Sequence, residues 1–201
     1  MGARAPLGGV LLAMLLLTAC AQQPQLPVAA DWVEHSARLA GLTIWTVEGK
    51  IALQTPDQVE SASIQWRQHE AITRLYLSGP LGIAATRVYS DGKTLEIRQG
   101  EELRSWDLTD AGALERSTGW DLPLAALAYW LKGLPAPELD IQRMELGQGQ
   151  SQLQVLRQDD WEIHYLAYAN YGGITLPTKL QIQRRDTTVK LVIRDWQIAP
   201  A

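Results

Sequence analysis

The sequence contains one cysteine, Cys20, among 201 residues, and it contains no phenylalanine. A single cysteine cannot form an intramolecular disulfide, so the fold must be stabilised by its apolar core. The sequence also lacks an excess of basic residues. It has 18 lysines and arginines and 22 aspartates and glutamates, which gives a net charge of −4. This balance argues against a nucleic-acid partner, which would require a basic surface. The eight tryptophans and six tyrosines indicate either compositional bias or a lipophilic surface, and their number does not choose between them.

Residues 1–19 have the pattern of a bacterial secretion signal. Arg4 supplies a positive charge, an apolar stretch covers residues 7–17, and small residues precede Cys20. The apolar stretch is too short to remain as a membrane-spanning helix. The ending Leu17-Thr18-Ala19-Cys20 resembles a lipobox, in which the cysteine receives diacylglyceryl and N-acyl lipid and becomes the mature N-terminus. The alternative is an ordinary secreted protein with an incidental cysteine.

Lipidation of Cys20 predicts a protein that is anchored to a membrane, because two or more acyl chains give stable attachment. In lipoproteins of the kind that Cys20 resembles, a residue other than Asp after the cysteine favours the outer membrane, and here Ala21 follows it. Residues 20–30 are rich in Gln, Pro and Ala and predict a lipidated N-terminus with a flexible tether. Residues 31–201 have a length suited to a single domain.

Alternating apolar and polar residues predict a series of short antiparallel strands from Leu42 onward. Turn signals separate the strands, among them Pro56-Asp57 and Asp91-Gly92, which we interpret as a two-residue hairpin turn. Strand patterning ends near Leu108 and returns at Leu153. Short turns and one apolar face for each strand predict a mainly β fold, a sandwich or a barrel.

Two helices interrupt the strand pattern. The first runs from a cap at Asp31 to about Ala40, with Trp32, Ala37, Leu39 and Ala40 as its apolar members and Gly41 as its stop. The second runs from Pro123 through Leu131 and ends at Gly133 and Pro135. Because the second helix is apolar nearly all round, we expect it to lie covered across one face or mouth of the sheet.

The motifs of enzymes are missing or incomplete. The Gly-Lys-Thr at residues 92–94 has Arg87 where a phosphate-binding loop needs its first glycine. The three histidines, His35, His69 and His164, do not have the spacing of metal ligands, and the sequence contains no Gly-x-Ser-x-Gly elbow. We therefore expect neither an enzyme nor a cofactor, apart from the lipid on Cys20.

The segment Gly79-Pro80-Leu81-Gly82 places an apolar side chain at the tip of a loop. One interpretation is that Leu81 folds back onto the sheet edge. The other is that Leu81, flanked by Pro80 and Gly82, enters a membrane, where burial of a leucine is worth about 1.5–3 kcal/mol.

Taken together, these motifs resemble those of the LolB family of lipoproteins. The resemblance extends over nearly the whole mature chain and lies in Trp32-x-x-His35, Ile64-Gln65-Trp66, the Gly79–Gly82 loop, residues 123–135, Leu176-Pro177 and the ending at residues 190–198. It implies an incomplete, half-open antiparallel β-barrel with an apolar cavity, covered by short helices. It also implies a monomer, lipid-anchored to the outer membrane and facing the periplasm. Such a protein accepts lipoproteins from the periplasmic carrier LolA and inserts them into the inner leaflet, with Leu81 matching a leucine that acts in insertion.

Candidate residues for an acyl-chain cavity lie on the apolar strand faces and on the covering helix. They are Trp45, Val47, Ile51, Ile64, Trp66, Leu75, Leu77, Val88, Leu127, Trp130 and Leu131. For each of them, ordinary core packing is the competing interpretation. At the level of the whole protein, the alternatives are a lipid-anchored module that binds a protein partner by sheet augmentation, and a lipoprotein that binds a small apolar ligand.

Overall fold

The computed structural model describes residues 30–79, 85–109 and 123–199 of the chain. Cys20 and the loop residues Pro80, Leu81 and Gly82 lie outside these ranges. The described part contains two helices and eleven strands, which are α1 (Ala30–Ala40), β1 (Ile44–Gln54), β2 (Val59–His69), β3 (Ile72–Ser78), β4 (Thr86–Ser90), β5 (Thr94–Gln99), β6 (Glu102–Asp107), α2 (Leu124–Lys132), β7 (Ile141–Leu146), β8 (Leu153–Gln158), β9 (Trp161–Tyr171), β10 (Ile174–Arg184) and β11 (Thr187–Ile198).

All eleven strands form one antiparallel sheet in the order β6-β5-β4-β3-β2-β1-β11-β10-β9-β8-β7. The chain runs outward from β1 to β6, passes to the far edge at β7, and returns strand by strand to β11. The two halves join where β1 pairs with β11, in a register from Trp45 opposite Ile198 to Gln54 opposite Thr188. Because β6 and β7 do not pair with each other, the sheet stays open, as the prediction of an incomplete antiparallel β fold requires.

One face of the sheet is apolar along nearly its whole width. Alternate residues of the central strands are buried there, as with Trp45 and Val47 on β1, because successive side chains of a strand point to opposite faces. These side chains and the buried apolar residues of α1 and α2 form one core. We call this face of the sheet the inner face and the opposite one the outer face.

Gly49 lies at an irregularity in the joint between the two halves. The register of β1 against β11 shifts between Glu48 and Gly49. A Cβ at position 49 would lie 2.2 Å from the backbone oxygen of Val192, which is too close for any side chain. Glycine is therefore required here, and the shift is typical of a β-bulge, which increases the local twist of a sheet.

Helix α2 lies within one residue of its predicted bounds, with Pro123 as its N-cap, and it has a defined end. Gly133 adopts a left-handed conformation, with φ of 82°, and its N–H donates to the carbonyl of Trp130. The N–H of Leu134 donates to the carbonyl of Tyr129, so the last turn keeps its hydrogen bonds. Leu127, Trp130 and Leu131 are buried on this helix, as its apolar composition predicts. Within the described residues, neither helix has the length and apolar character needed to cross a membrane.

The structure corrects details of α1. The helix begins at Ala30, so Asp31 lies within its first turn instead of capping it. Trp32 and Leu39 are buried as expected, but Ala37 and Ala40 are exposed, because only one side of this helix faces the core.

Two strand boundaries also differ from the predictions. The connection between β4 and β5 spans three residues, Asp91–Lys93, because Asp91 Oδ1 accepts the N–H groups of both Lys93 and Thr94. Strand β7 was missed, since Ile141 at its start is exposed and β7 pairs only with β8, with two register shifts. An edge strand of this kind lacks the alternation that marks a half-buried strand.

Candidate functional site

The structure places the eleven candidate cavity residues in one apolar cluster, formed by the inner face and α2. Nine of them are buried, and Ile51 and Leu77 are half-buried. Trp130 and Leu131 have no exposed surface, so this side of α2 is fully buried. This placement fits both core packing and a lipid-binding cleft, and their role in acyl-chain binding stays a prediction.

Residues from β8 to β11 complete the same apolar cluster, and the sequence interpretation missed them as candidates. They include Leu156, Ile163, Leu180, Ile182, Leu191 and Trp196, all buried. Their alternation along the strands was visible in the sequence. The missing information was that β11 pairs with β1, which places both halves of the sheet on one apolar surface.

Tryptophan rings form the centre of this surface. The ring centroids of Trp45 and Trp66 lie 5.9 Å apart, and those of Trp45 and Trp196 lie 5.3 Å apart. Two of these rings have a satisfied polar edge, since Trp66 Nε1 donates to Gln68 Oε1 and Trp196 Nε1 donates to the carbonyl of Pro177, both at 2.9 Å. Trp66 and Trp196 can therefore present apolar surface while their buried donors stay paired.

Gln158 fixes the helix to the sheet. Its side chain is fully buried, and its Oε1 accepts from Trp130 Nε1 and from the N–H of Ala136, each at 2.8 Å. Its Nε2 donates to the carbonyls of Ala136 and Leu139, also at 2.8 Å. Tyr165 adds a hydrogen bond from its hydroxyl to the carbonyl of Trp130, at 3.0 Å. One β8 side chain thus holds both α2 and the segment that follows it.

The covering is less complete at one end of the inner face. In strands β1 to β5 the buried side chains, such as Trp66 and Leu75, lie toward the end where β2 turns into β3 and β4 turns into β5. Ile51, Leu53 and Leu77 lie toward the end where β1 passes to β2 and where β3 stops at Ser78, and all three are half-buried. The residues that connect β3 to β4, among them Leu81, follow from this end of the sheet.

Lys132 is a charged residue that is buried at the end of α2, beside the apolar cluster. It is 6% exposed at the end of α2, where Nζ donates to the carbonyl of Leu42 at 3.0 Å and lies 5.3 Å from the ring centroid of Tyr129. Burial lowers the pKa of Lys132 to about 8, because the charged form loses hydration. The structure thus holds a cation at the junction of α1 and α2.

The histidines do not assemble a metal site. His164 Nε2 lies 2.6 Å from Glu162 Oε1 on the same strand. Burial lowers the pKa of His35, and the charge of Arg38 makes a smaller contribution in the same direction. Among the residues described, no group of three or more His, Cys, Asp and Glu side chains could hold a metal ion.

These features define a class of protein: a single open antiparallel sheet whose apolar inner face is covered by short helices. A solved structure of the same fold is that of a LolA superfamily protein from Nitrosomonas europaea. It has a TM-score of 0.53 at 9% identity and covers 87% of this chain and 94% of that chain.

The sequence comparisons specify the family. Residues 43–196 match the family model described as outer membrane lipoprotein LolB. The outer-membrane lipoprotein LolB of Stutzerimonas stutzeri is 35% identical over 191 residues, which cover 92% of each chain. That of Cellvibrio japonicus is 33% identical over 186 residues, or 90% of this chain and 91% of its own. The chain therefore belongs to the LolB family: it is a lipid-anchored outer-membrane lipoprotein of lipoprotein localization, and not an enzyme.

Proposed function

We propose that this protein receives the acyl chains of client lipoproteins from a LolA-type periplasmic carrier and delivers them to the inner leaflet of the outer membrane. Cys20 carries the anchor, residues 1–19 are removed as the signal, and residues 20–30 tether a monomeric domain of residues 31–201. The observation that supports this most directly is the one-sided sheet, whose apolar inner face is covered by an apolar helix instead of a second sheet.

The physical need for such a receptor follows from the size of the client lipid. Each buried methylene is worth about 0.8 kcal/mol, so three chains of about fifteen methylenes would cost on the order of 36 kcal/mol to expose fully. Chains that bundle together shelter one another, which makes this figure an upper bound. Even a fraction of it prevents free diffusion through water, and a difference in affinity of a few kcal/mol gives the transfer its direction.

The inner face also suggests where the chains enter. Ile51, Leu53 and Leu77 form a half-buried apolar margin, whereas Trp130 and Leu131 on α2 are fully buried. We infer that the margin is the mouth of the cleft, and that α2 must separate from the sheet for the deeper surface to become available. The segment containing Pro80, Leu81 and Gly82 follows β3 at this margin, so a chain leaving the mouth would meet the bilayer where Leu81 inserts.

The proposal is tested with the mature chain carrying Cys20→Ser, which has no lipid of its own. We expect this chain to take a labelled lipoprotein from a loaded carrier and to bind an apolar fluorophore. Failure of both measurements would contradict the receptor function.

Insertion is tested separately with Leu81→Glu in the same chain. This variant should accept lipoprotein normally and transfer it poorly to phospholipid vesicles, because a carboxylate opposes burial in hydrocarbon. Leu166→Glu is the matched control, since Leu166 is 55% exposed on β9. Equal insertion by Leu81→Glu and Leu166→Glu would refute the role of Leu81, and loss of folding by Leu81→Glu would favour its packing against the sheet.

A further inference from the structure

Four arginines from four neighbouring strands meet on the outer face of the sheet. Arg67 on β2 lies directly opposite Arg74 on β3, and Arg87 on β4 lies opposite Arg98 on β5. All four are exposed. With Tyr76 and Tyr89 they line a shallow depression of about 530 Å³. We call these four arginines and two tyrosines the arginine face.

This arrangement does not serve the stability of the sheet. Like charges directly opposite each other on neighbouring strands are destabilising. In the described part of the chain, no carboxylate lies within 4.0 Å of any of these arginines. Among the described residues that line the depression, Glu96 is the one acidic residue. The whole chain carries a net negative charge, so concentrating positive charge here runs against its composition.

The other half of the sheet shows the ordinary arrangement. Arg143 on β7 lies 2.7 Å from Glu145, and Arg157 on β8 lies opposite Glu162 on β9. There Arg143 forms an ion pair and Arg157 faces a carboxylate across the ladder. In the arginine face, each arginine instead lies directly opposite another arginine, and none lies opposite a carboxylate.

The tyrosines hold the guanidinium groups in place without neutralising them. Arg74 lies over the ring of Tyr89, and Arg87 lies over that of Tyr76, each 5.6 Å from the centroid. A stacked guanidinium keeps its N–H donors available at its edge, and its planar fork matches the oxygens of a phosphate. Tyrosine is also enriched where a protein meets the headgroup layer of a membrane.

We propose that the arginine face binds the phosphates of anionic phospholipid headgroups. Its position supports this occupant, because Arg87 is the second residue of β4 and Tyr76 lies two residues before the end of β3. Both therefore lie next to the connection that contains Leu81. The ten residues that follow Cys20 up to residue 30 reach at most about 36 Å, which keeps the domain close to the membrane that holds Cys20.

This inference deepens the proposed function, and it rests on that function for the location of the arginine face beside a bilayer. Membrane binding is nevertheless measurable without any client lipoprotein. A failure of headgroup binding is thus distinguishable from a failure of lipoprotein acceptance.

The test measures sedimentation of the mature Cys20→Ser chain with vesicles of phosphatidylcholine, with and without 30 mol% phosphatidylglycerol. We expect tighter binding to the anionic vesicles, and weaker binding at high salt. A basic residue near such a surface contributes roughly fivefold in affinity, so Arg87→Gln with Arg98→Gln should reduce binding roughly 25-fold. The control, Arg143→Gln with Arg157→Gln, removes the same charge elsewhere on the sheet.

Three results would overturn the inference. The first is equal binding to neutral and anionic vesicles, and the second is an equal loss in the control pair. The third is that the double variant Arg87→Gln with Arg98→Gln binds vesicles as the parent does but takes up lipoprotein from the carrier more slowly when no vesicles are present. That result would mean that the arginine face binds an acidic protein surface. Lipoprotein acceptance by the parent chain is scored in parallel.

Discussion

Replacement of Gln158 by leucine tests how α2 is held over the inner face. Leucine has a similar size and would fill the space between β8 and α2, so the change removes hydrogen bonds with little loss of volume. The indole N–H of Trp130 and the backbone N–H of Ala136 would lose their shared acceptor. The carbonyls of Ala136 and Leu139 would lose a donor.

The expected loss of stability follows from the two buried N–H donors that would lose their acceptor. Each buried donor without a partner costs about 1–3 kcal/mol, and this cost outweighs the gain from burying a leucine. We expect Gln158→Leu to lower the free energy of unfolding by about 2–4 kcal/mol. In a protein of this size, that corresponds to roughly 4–16 °C in the melting temperature.

The measurement is urea unfolding of the mature Cys20→Ser chain, followed by tryptophan fluorescence. Gln154→Leu is the matched control, because Gln154 is on the same strand and is exposed. A second readout is binding of an apolar fluorophore, which should increase when α2 is held less firmly. Unfolding of Gln158→Leu at the same urea concentration as Gln154→Leu would refute this account of the helix attachment.

Two further predictions concern glycine packing and a buried charge. Gly49→Ala should destabilise the protein by about 1–3 kcal/mol, because the new Cβ would collide with the Val192 carbonyl. Gly147→Ala, whose Cβ would lie 3.8 Å from its nearest neighbour, should change the melting temperature little, and equal melting of the two variants would contradict the clash. Burial lowers the pKa of Lys132 from 10.5 to about 8, so the unfolded chain binds more protons between these values and stability should rise with pH there. After discounting for solvent screening, we expect a gain on the order of 1–2 kcal/mol between pH 7.5 and 9.5 that is smaller in Lys132→Met. The comparison stops at pH 9.5 because burial raises the pKa values of Tyr165 and Tyr168, which opposes the gain at higher pH. An equal gain in Lys132→Met would show that another group is responsible.

Local features of the fold were predictable from the sequence. The bounds of α2 follow from Pro123 and Gly133, since the first fixes the entrance and the second adopts the left-handed end. Strands that alternate strictly, such as β1 and β2, were also predictable, because alternation is a property of residues that are close together in the chain. Edge strand β7 was missed because it buries no side chain fully, so its sequence does not need a strict alternation of apolar and polar residues.

The sequence by itself determined which side of each strand is apolar, because that depends only on a repeat of two residues. It also carries the lipobox motif at Cys20 and the leucine at position 81. The tertiary structure alone decided that β1 pairs with β11, which joins the two halves into one apolar inner face. It also decided that arginines from four strands share one outer face, and that Gln158 lies beneath α2. The physical reason is that alternation specifies a face but not a neighbour, and neighbours are chosen by pairing between segments far apart in the chain.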